Sequence, residues 1–256
     1  MTSHRAISFI YSSTLVSSAV LQLEECVITD GKLCQLEAIL TSIAETEESK
    51  LREFAFHGDG EINYMDTRTV TVALVKLKTI GYDLGLELSS GQVESLFSRI
   101  RDCQDLRLTE LHPYWNVSLV PPEVFAGGLL RLQRVTLGSW TGVTPSQLES
   151  LFLMLFSHQA EVGGPTSTLK QLMFSSTDLT SVSPEVLVGA IQNLEEVDFW
   201  SGKMTLPQIT AILNMLKDNR QGSLKKIEII GPEVGGSVSP TLLQEARLNS
   251  SVLVWL

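Results

Sequence analysis

Two kinds of helix start alternate along this chain at a long, nearly constant spacing, and that alternation limits what the chain can fold into. The first kind reads Ile28-Thr29-Asp30-Gly31-Lys32-Leu33, Leu88-Ser89-Ser90-Gly91-Gln92-Val93, Val143-Thr144-Pro145-Ser146-Gln147-Leu148 and Met204-Thr205-Leu206-Pro207-Gln208-Ile209. Each joins an apolar anchor to a Ser or Thr, then a Gly or Pro, then a Gln or Lys ahead of an apolar helical pattern. The hydroxyl can accept from the free N–H groups of a first helical turn. The second kind reads Met65-Asp66-Thr67-Arg68, Val120-Pro121-Pro122-Glu123, Val182-Ser183-Pro184-Glu185 and Val238-Ser239-Pro240-Thr241. Proline suits a first helical position, where its missing N–H has no intrahelical partner to lose. Anchors of the first kind recur every 55 to 61 residues and the Pro or Thr of the second every 55 to 62. Two interleaved series of this length imply a repeating unit of about 30 residues.

A strand signal of the form L-x-x-Φ-x-Φ precedes the helix starts. It is sharpest at Leu169/Leu172/Phe174 and Leu194/Val197/Phe199, and recurs at Leu51/Phe54/Phe56, Leu132/Val135/Leu137 and Leu224/Ile227/Ile229. Weaker versions lie at Leu106/Leu111 and near Ile80, Tyr82 and Leu84, and Leu253 and Trp255 fall where a ninth strand belongs. No single unit buries both its strand face and its helix stripe, so neighbours must stack. Parallel strands need a crossover, and the helix supplies it.

These strands and alternating long units resemble the ribonuclease-inhibitor-like class of leucine-rich repeats, from about Leu21 to Trp255. The resemblance implies an α/β solenoid, a horseshoe with a parallel sheet on its concave face and helices on its convex face. It implies a single domain over 1–256, with a helical cap over 1–19 and a terminal strand over 248–256. The Asn or Cys that the family places after the strand is missing; Asp59, Thr177, Gly202 and Pro232 stand there instead. These turns must be satisfied otherwise or be looser. The stretch 157–167 reads as a loop within the repeat.

Composition narrows the function. With 29 acidic and 19 basic residues the net charge is −10, which argues against a nucleic-acid surface built on Lys and Arg. No run of about 20 apolar residues appears, so a membrane span is not expected. Cys26, Cys34 and Cys103 are a sparse, odd set that suits a reducing compartment, and a cytoplasmic location is expected. Cys26 and Cys34 read as buried small apolar residues. The N-terminus has the outline of a secretory signal, but Ser8, Ser12, Ser13, Thr14, Ser17 and Ser18 interrupt it, and it also fits an amphipathic helix through Ile7, Ile10, Tyr11 and Leu15. Asn116-Val117-Ser118 and Asn249-Ser250-Ser251 are glycosylation sequons that matter only to a secreted chain.

No zinc-protease helix, phosphate-cradling glycine loop or nucleophile elbow is present. His57-Gly58-Asp59-Gly60-Glu61 is the best metal-like cluster, and a polar turn explains it better. Glu195, Glu196 and Asp198 read as solvated charges rather than an acid/base pair. No catalytic residue, metal or cofactor is therefore expected, and the chain is expected not to be an enzyme.

Alternation along the strands puts the residues between inward positions on the open face. The expected partner-binding residues are Glu53, His57, Arg134, Thr136, Met173, Glu196, Asp198, Trp200, Lys226 and Glu228. Aromatics are enriched in interface hot spots, which singles out Trp200; Trp115 and Trp140 read as packing. The expected function is a protein-interaction scaffold for a protein partner, with no nucleic acid and no membrane, either monomeric or a segment of a larger protein. The alternatives are the recognition segment of a ubiquitin-ligase substrate receptor or innate sensor, and a GTPase-activating-type regulator.

Overall fold

The computed structural model describes residues 25–31, 33–46, 51, 53–58, 62–80, 87–157, 167–218, 222–231, 233–234, 239–249 and 253–255, with backbone alone at 25–31, 53, 55–58, 233–234, 248–249 and 253–255. The helical cap expected over 1–19, Leu21, Tyr82, Leu84, Asp59, Pro232 and the loop residues 158–166 lie outside these. The protein is an α/β fold in which parallel strands alternate with helices, in two compact units: one ends at Val120 and the other begins at Pro121.

The first unit runs β1 (Glu25–Gly31), α1 (Leu33–Glu45), β2 (Glu53–Gly58), α2 (Thr67–Val75), β3 (Thr79–Ile80), α3 (Ser90–Asp102) and β4 (Glu110–Leu111). The strands are parallel and lie side by side in chain order. Here β3 and β4 are short, and Pro113 follows β4 closely; proline cannot donate to a ladder. The stripe Leu36, Ile39, Leu40 and Ile43 buries one face of α1. Cys34 falls on the opposite side of that stripe, which is why it is exposed rather than buried as expected. Lys76, just past α2, donates to the carbonyls of Ile43, Ala44 and Thr46 at 3.0, 2.8 and 3.0 Å. A cation thus sits on the free C-terminal carbonyls of α1.

The second unit runs α4 (Pro122–Leu129), β5 (Arg134–Gly138), a 3-10 turn over Ser139–Thr141, α5 (Pro145–Ser157), β6 (Gln171–Ser175), α6 (Pro184–Ile191), β7 (Glu196–Trp200), β8 (Lys203–Met204), α7 (Leu206–Lys217), β9 (Lys226–Ile230), β10 (Glu233–Val234), α8 (Pro240–Asn249) and β11 (Leu253–Trp255). Strands β5, β6, β7, β9 and β11 are parallel neighbours in that order, without a register slip between β5 and β9. The inward rows are Val135, Leu172, Val197 and Ile227, then Leu137, Phe174, Phe199 and Ile229, all buried. Phe152 of α5 stacks on Phe174, and Phe174 on Phe199, each pair with ring centroids 5.7 Å apart. Two short strands, β8 and β10, pair in a separate small sheet that the hydrophobic pattern did not reveal.

The helix starts behave as their residues require. At α3, Ser89 accepts from the Gln92 backbone N–H at 3.3 Å while Gln92 Oε1 accepts from the Ser89 N–H at 2.9 Å. The same reciprocal cap joins Thr144 to Gln147 and Thr205 to Gln208. The glutamine amide then does a second job. Gln208 Nε2 donates to the carbonyls of Leu179 and Val182, at 2.7 and 2.6 Å. Gln92 Nε2 donates to those of Ile62 and Met65, at 2.8 and 3.1 Å. Each carbonyl pair belongs to a tight turn ahead of a helix of the other kind. These two turns are thus tied down by a buried glutamine about 30 residues further along the chain.

Candidate functional site

Because β5 to β9 are in unbroken register, their outward residues form three rows. Arg134, Gln171, Glu196 and Lys226 make the first; Thr136, Met173, Asp198 and Glu228 the second; Gly138, Ser175, Trp200 and Ile230 the third, at the C-terminal end of the strands. Eight of the ten expected partner-binding residues, all but Glu53 and His57, therefore share one face of the second unit. Glu53 and His57 are on β2 of the first unit, and their side chains lie outside the described residues.

The first row is polar and half open. The Arg134 guanidinium donates to Gln171 Oε1. Beside it, Glu195 holds Lys225 at 2.5 Å and Lys170 at 3.2 Å, and the two ammonium groups, Lys225 first, draw its carboxyl below the usual range. Such exposed pairs add little stability.

The second row departs from the expectation of solvated charge. Asp198 is only 8% exposed, since Met173 and Glu228 flank it in register about 4.8 Å away on either side. Its Oδ1 is buried and makes no hydrogen bond. The nearest cation, Lys226 Nζ, is 3.7 Å from that oxygen but 2.9 Å from Glu228 Oε1. Burial pushes the Asp198 carboxyl up; Lys226 opposes this, and Glu228 and Glu196 add to it. Lys226 in turn is raised, chiefly by its bond to Glu228. Thr136, expected on the open surface, is buried too. Met173 stands beside it, and the Trp140 ring folds back over Gly138, the next position on the same face.

Trp140 reaches that place because position 138 has no side chain; a Cβ there would lie 2.3 Å from the indole. Trp140 is therefore a packing residue as expected, though 43% of it remains exposed. Trp115 is buried, also as expected. Trp200 is 44% exposed, next to exposed Ile230. Trp200 and Ile230, two of the four residues of the third row, thus form an open apolar edge beside Asp198 and Glu228. Among the described residues no group of His, Cys, Asp or Glu is placed to hold a metal, and no helix is long and apolar enough to cross a membrane.

No family model matches the sequence, and no curated protein matches it. Among solved structures, a protein from Bacteroides fragilis is similar over 97% of this chain and 73% of its own, with a TM-score of 0.53 at 16% identity. That likeness concerns the fold alone. A protein from Toxoplasma gondii described as a deoxyribose-phosphate aldolase overlaps over 95% of this chain and 91% of its own at 13% identity, but with a TM-score of 0.25 it carries no argument.

Proposed function

We propose that the chain is a leucine-rich-repeat-like interaction module, without catalytic activity of its own, that docks a protein partner on the strand face of the second unit. The observation that carries this reading is the rim of Trp200 and Ile230, both open, set against the row of Asp198 and Glu228. A large amphipathic side chain beside partly desolvated charge is the composition of an interface hot spot. Parallel strands recurring with the long period support the repeat reading, since each module offers one more outward strand residue per row.

A photo-crosslinking residue at Ser175, between Gly138 and Trp200 in the third row, tests the proposal in the source cell. Adducts are expected from that position and not from Leu153, exposed on α5. They should fall about tenfold in a Trp200→Ala/Asp198→Ala protein. Equal adducts from both positions, or no loss in the double variant, would remove the strand face as the docking surface.

A further inference from the structure

Two half-open tryptophans of the second unit share one outward row. Trp200 is on β7 and 44% exposed; Trp140, 43% exposed, lays the six-membered part of its indole over Gly138 of β5. The Trp140 ring thus fills the space that a side chain at position 138 would take. Ser175 of β6 stands between the two, in register with Gly138 on one side and Trp200 on the other. Adjacent strands are about 4.8 Å apart, so the two indoles are carried about 9.5 Å apart with only a hydroxymethyl group between them. The row holds no charged residue and ends on Ile230. At its border the chain turns through Ser176 and Ser201, both exposed and both left-handed, with φ of 52° and 50°. Their N–H groups donate to the carbonyls of Trp200 and Ile230 at 2.7 Å, which continues the ladder past the strands.

We propose that this row binds a proline-rich segment of a protein partner in the polyproline II conformation, with two prolines three positions apart lying on Trp140 and Trp200. The inference rests on the strand-face reading above and names what that face recognises. A polyproline II helix brings every third residue to one side, about 9.3 Å apart at about 3.1 Å per residue, which matches the step from β5 to β7. Such a segment is stiff before it binds, so an aromatic-lined row can hold it at little entropic cost. Its carbonyls have no internal donors, and the row and its border supply donors in the Trp200 indole N–H and the hydroxyls of Ser175, Ser176 and Ser201. Prolines bring no charge, whereas an acidic segment would meet Asp198 and Glu228 one row away. An α-helix would set its next side chain, about 5–6 Å on, against Ser175 rather than on the second indole.

The test uses the full chain and three fluorescein-labelled alanine-based peptides whose two prolines are separated by one, two or three alanines, titrated by fluorescence anisotropy. The peptide with two intervening alanines should bind at least about fivefold more tightly than the others. Trp140→Ala and Trp200→Ala should each weaken it about tenfold and then bind all three spacings alike, because a single platform cannot measure a distance. Ser175→Glu leaves both indoles and puts a charge between them; it should weaken binding as much, with an unchanged circular-dichroism spectrum. A spacing preference that survives either tryptophan variant overturns the proposal, as do wild-type titrations in which the three spacings bind alike or none binds. Tighter binding of a helix-forming peptide with leucines at i, i+3 and i+7 overturns it as well. If the proline peptides fail while crosslinks from Ser175 still depend on Trp200, the proline segment is overturned and the docking face is kept. Failure of both overturns both.

Discussion

At the scale of single residues, Asp198 is where the strand face conflicts with simple stability. Burial raises its carboxyl above the ordinary value of 3.8, so the folded state holds that proton more tightly than the unfolded chain does. The resulting stabilisation is complete below the unfolded value and is lost as pH rises through the folded one. Asp198→Asn, which stays neutral, loses nothing over that interval. Melting temperatures of the two proteins should therefore diverge in favour of the variant as pH rises from about 3.5 to 7. Glu195, Asp66, Asp102 and Asp178 are shifted the opposite way by their hydrogen-bond partners, and their stabilising effect is lost as pH falls. They are common to both proteins, so they cancel in the difference. A difference that is flat with pH, or that favours the wild type at neutral pH, would mean that Lys226 compensates Asp198 fully. This residue also shows where reading the sequence stops. Alternation placed Asp198 and Thr136 on the outward face correctly, but their burial depends on what stands in register on the adjacent strands. Trp140 lying over Gly138 is likewise a tertiary event, and only the glycine hints at it.

At the scale of elements, the legible part of the fold was the part written in local chemistry. Helix starts at Ser90, Pro122, Pro145, Pro184, Leu206 and Pro240 follow from hydroxyls and prolines whose partners lie within one turn. The strands β8 and β10, two residues each, are too short to leave a period, and β3 and β4 barely do. The long-range half of the capping boxes at Gln92 and Gln208 was hidden for a different reason: the Gln in the helix-start pattern satisfies its local role with Oε1, and nothing local shows where Nε2 goes. That amide sets an unequal pair of costs. Thr205→Ala removes one acceptor at a half-exposed cap and should cost about 1 kcal/mol. Gln208→Ala strips the donor from two carbonyls in the interior and should cost about 2–4 kcal/mol. Gln208→Glu keeps the size and the Oε1 bond to Thr205, but it loses the donor and sets a carboxylate against those carbonyls. Urea denaturation should therefore rank it no better than Gln208→Ala. If it matched the wild type, the link to Leu179 and Val182 would contribute nothing.

At the scale of the whole molecule, a chain with a mean hydropathy of +0.15 and a net charge of −10 has to separate its two halves of chemistry cleanly. Among the described residues it does this by giving β5, β6, β7 and β9 inward rows of aliphatic and aromatic side chains and each of α1 to α7 a buried stripe. If the chain is the stack of modules proposed above, its stability is a sum of modules and their contacts with neighbours, and an identical substitution should differ in cost only through its burial. Leu172 on β6 and Leu213 on α7 are buried to within 1% of complete, whereas Leu153 on α5 is 42% exposed. Leu172→Ala and Leu213→Ala should each cost about 2–5 kcal/mol, and Leu153→Ala about 0.5 kcal/mol or less. Because the chain forms two compact units, a single global transition is not assured, and amide exchange within β5, β6, β7 and β9 is the direct measure. Leu172→Ala should accelerate exchange on β5 and β7, whose Val135 and Val197 flank it in register. Leu153→Ala should leave the same amides unchanged. Equal acceleration by both would mean that burial in the inward rows does not hold these modules together, and the strand face would lose the rigid support that a docking surface needs.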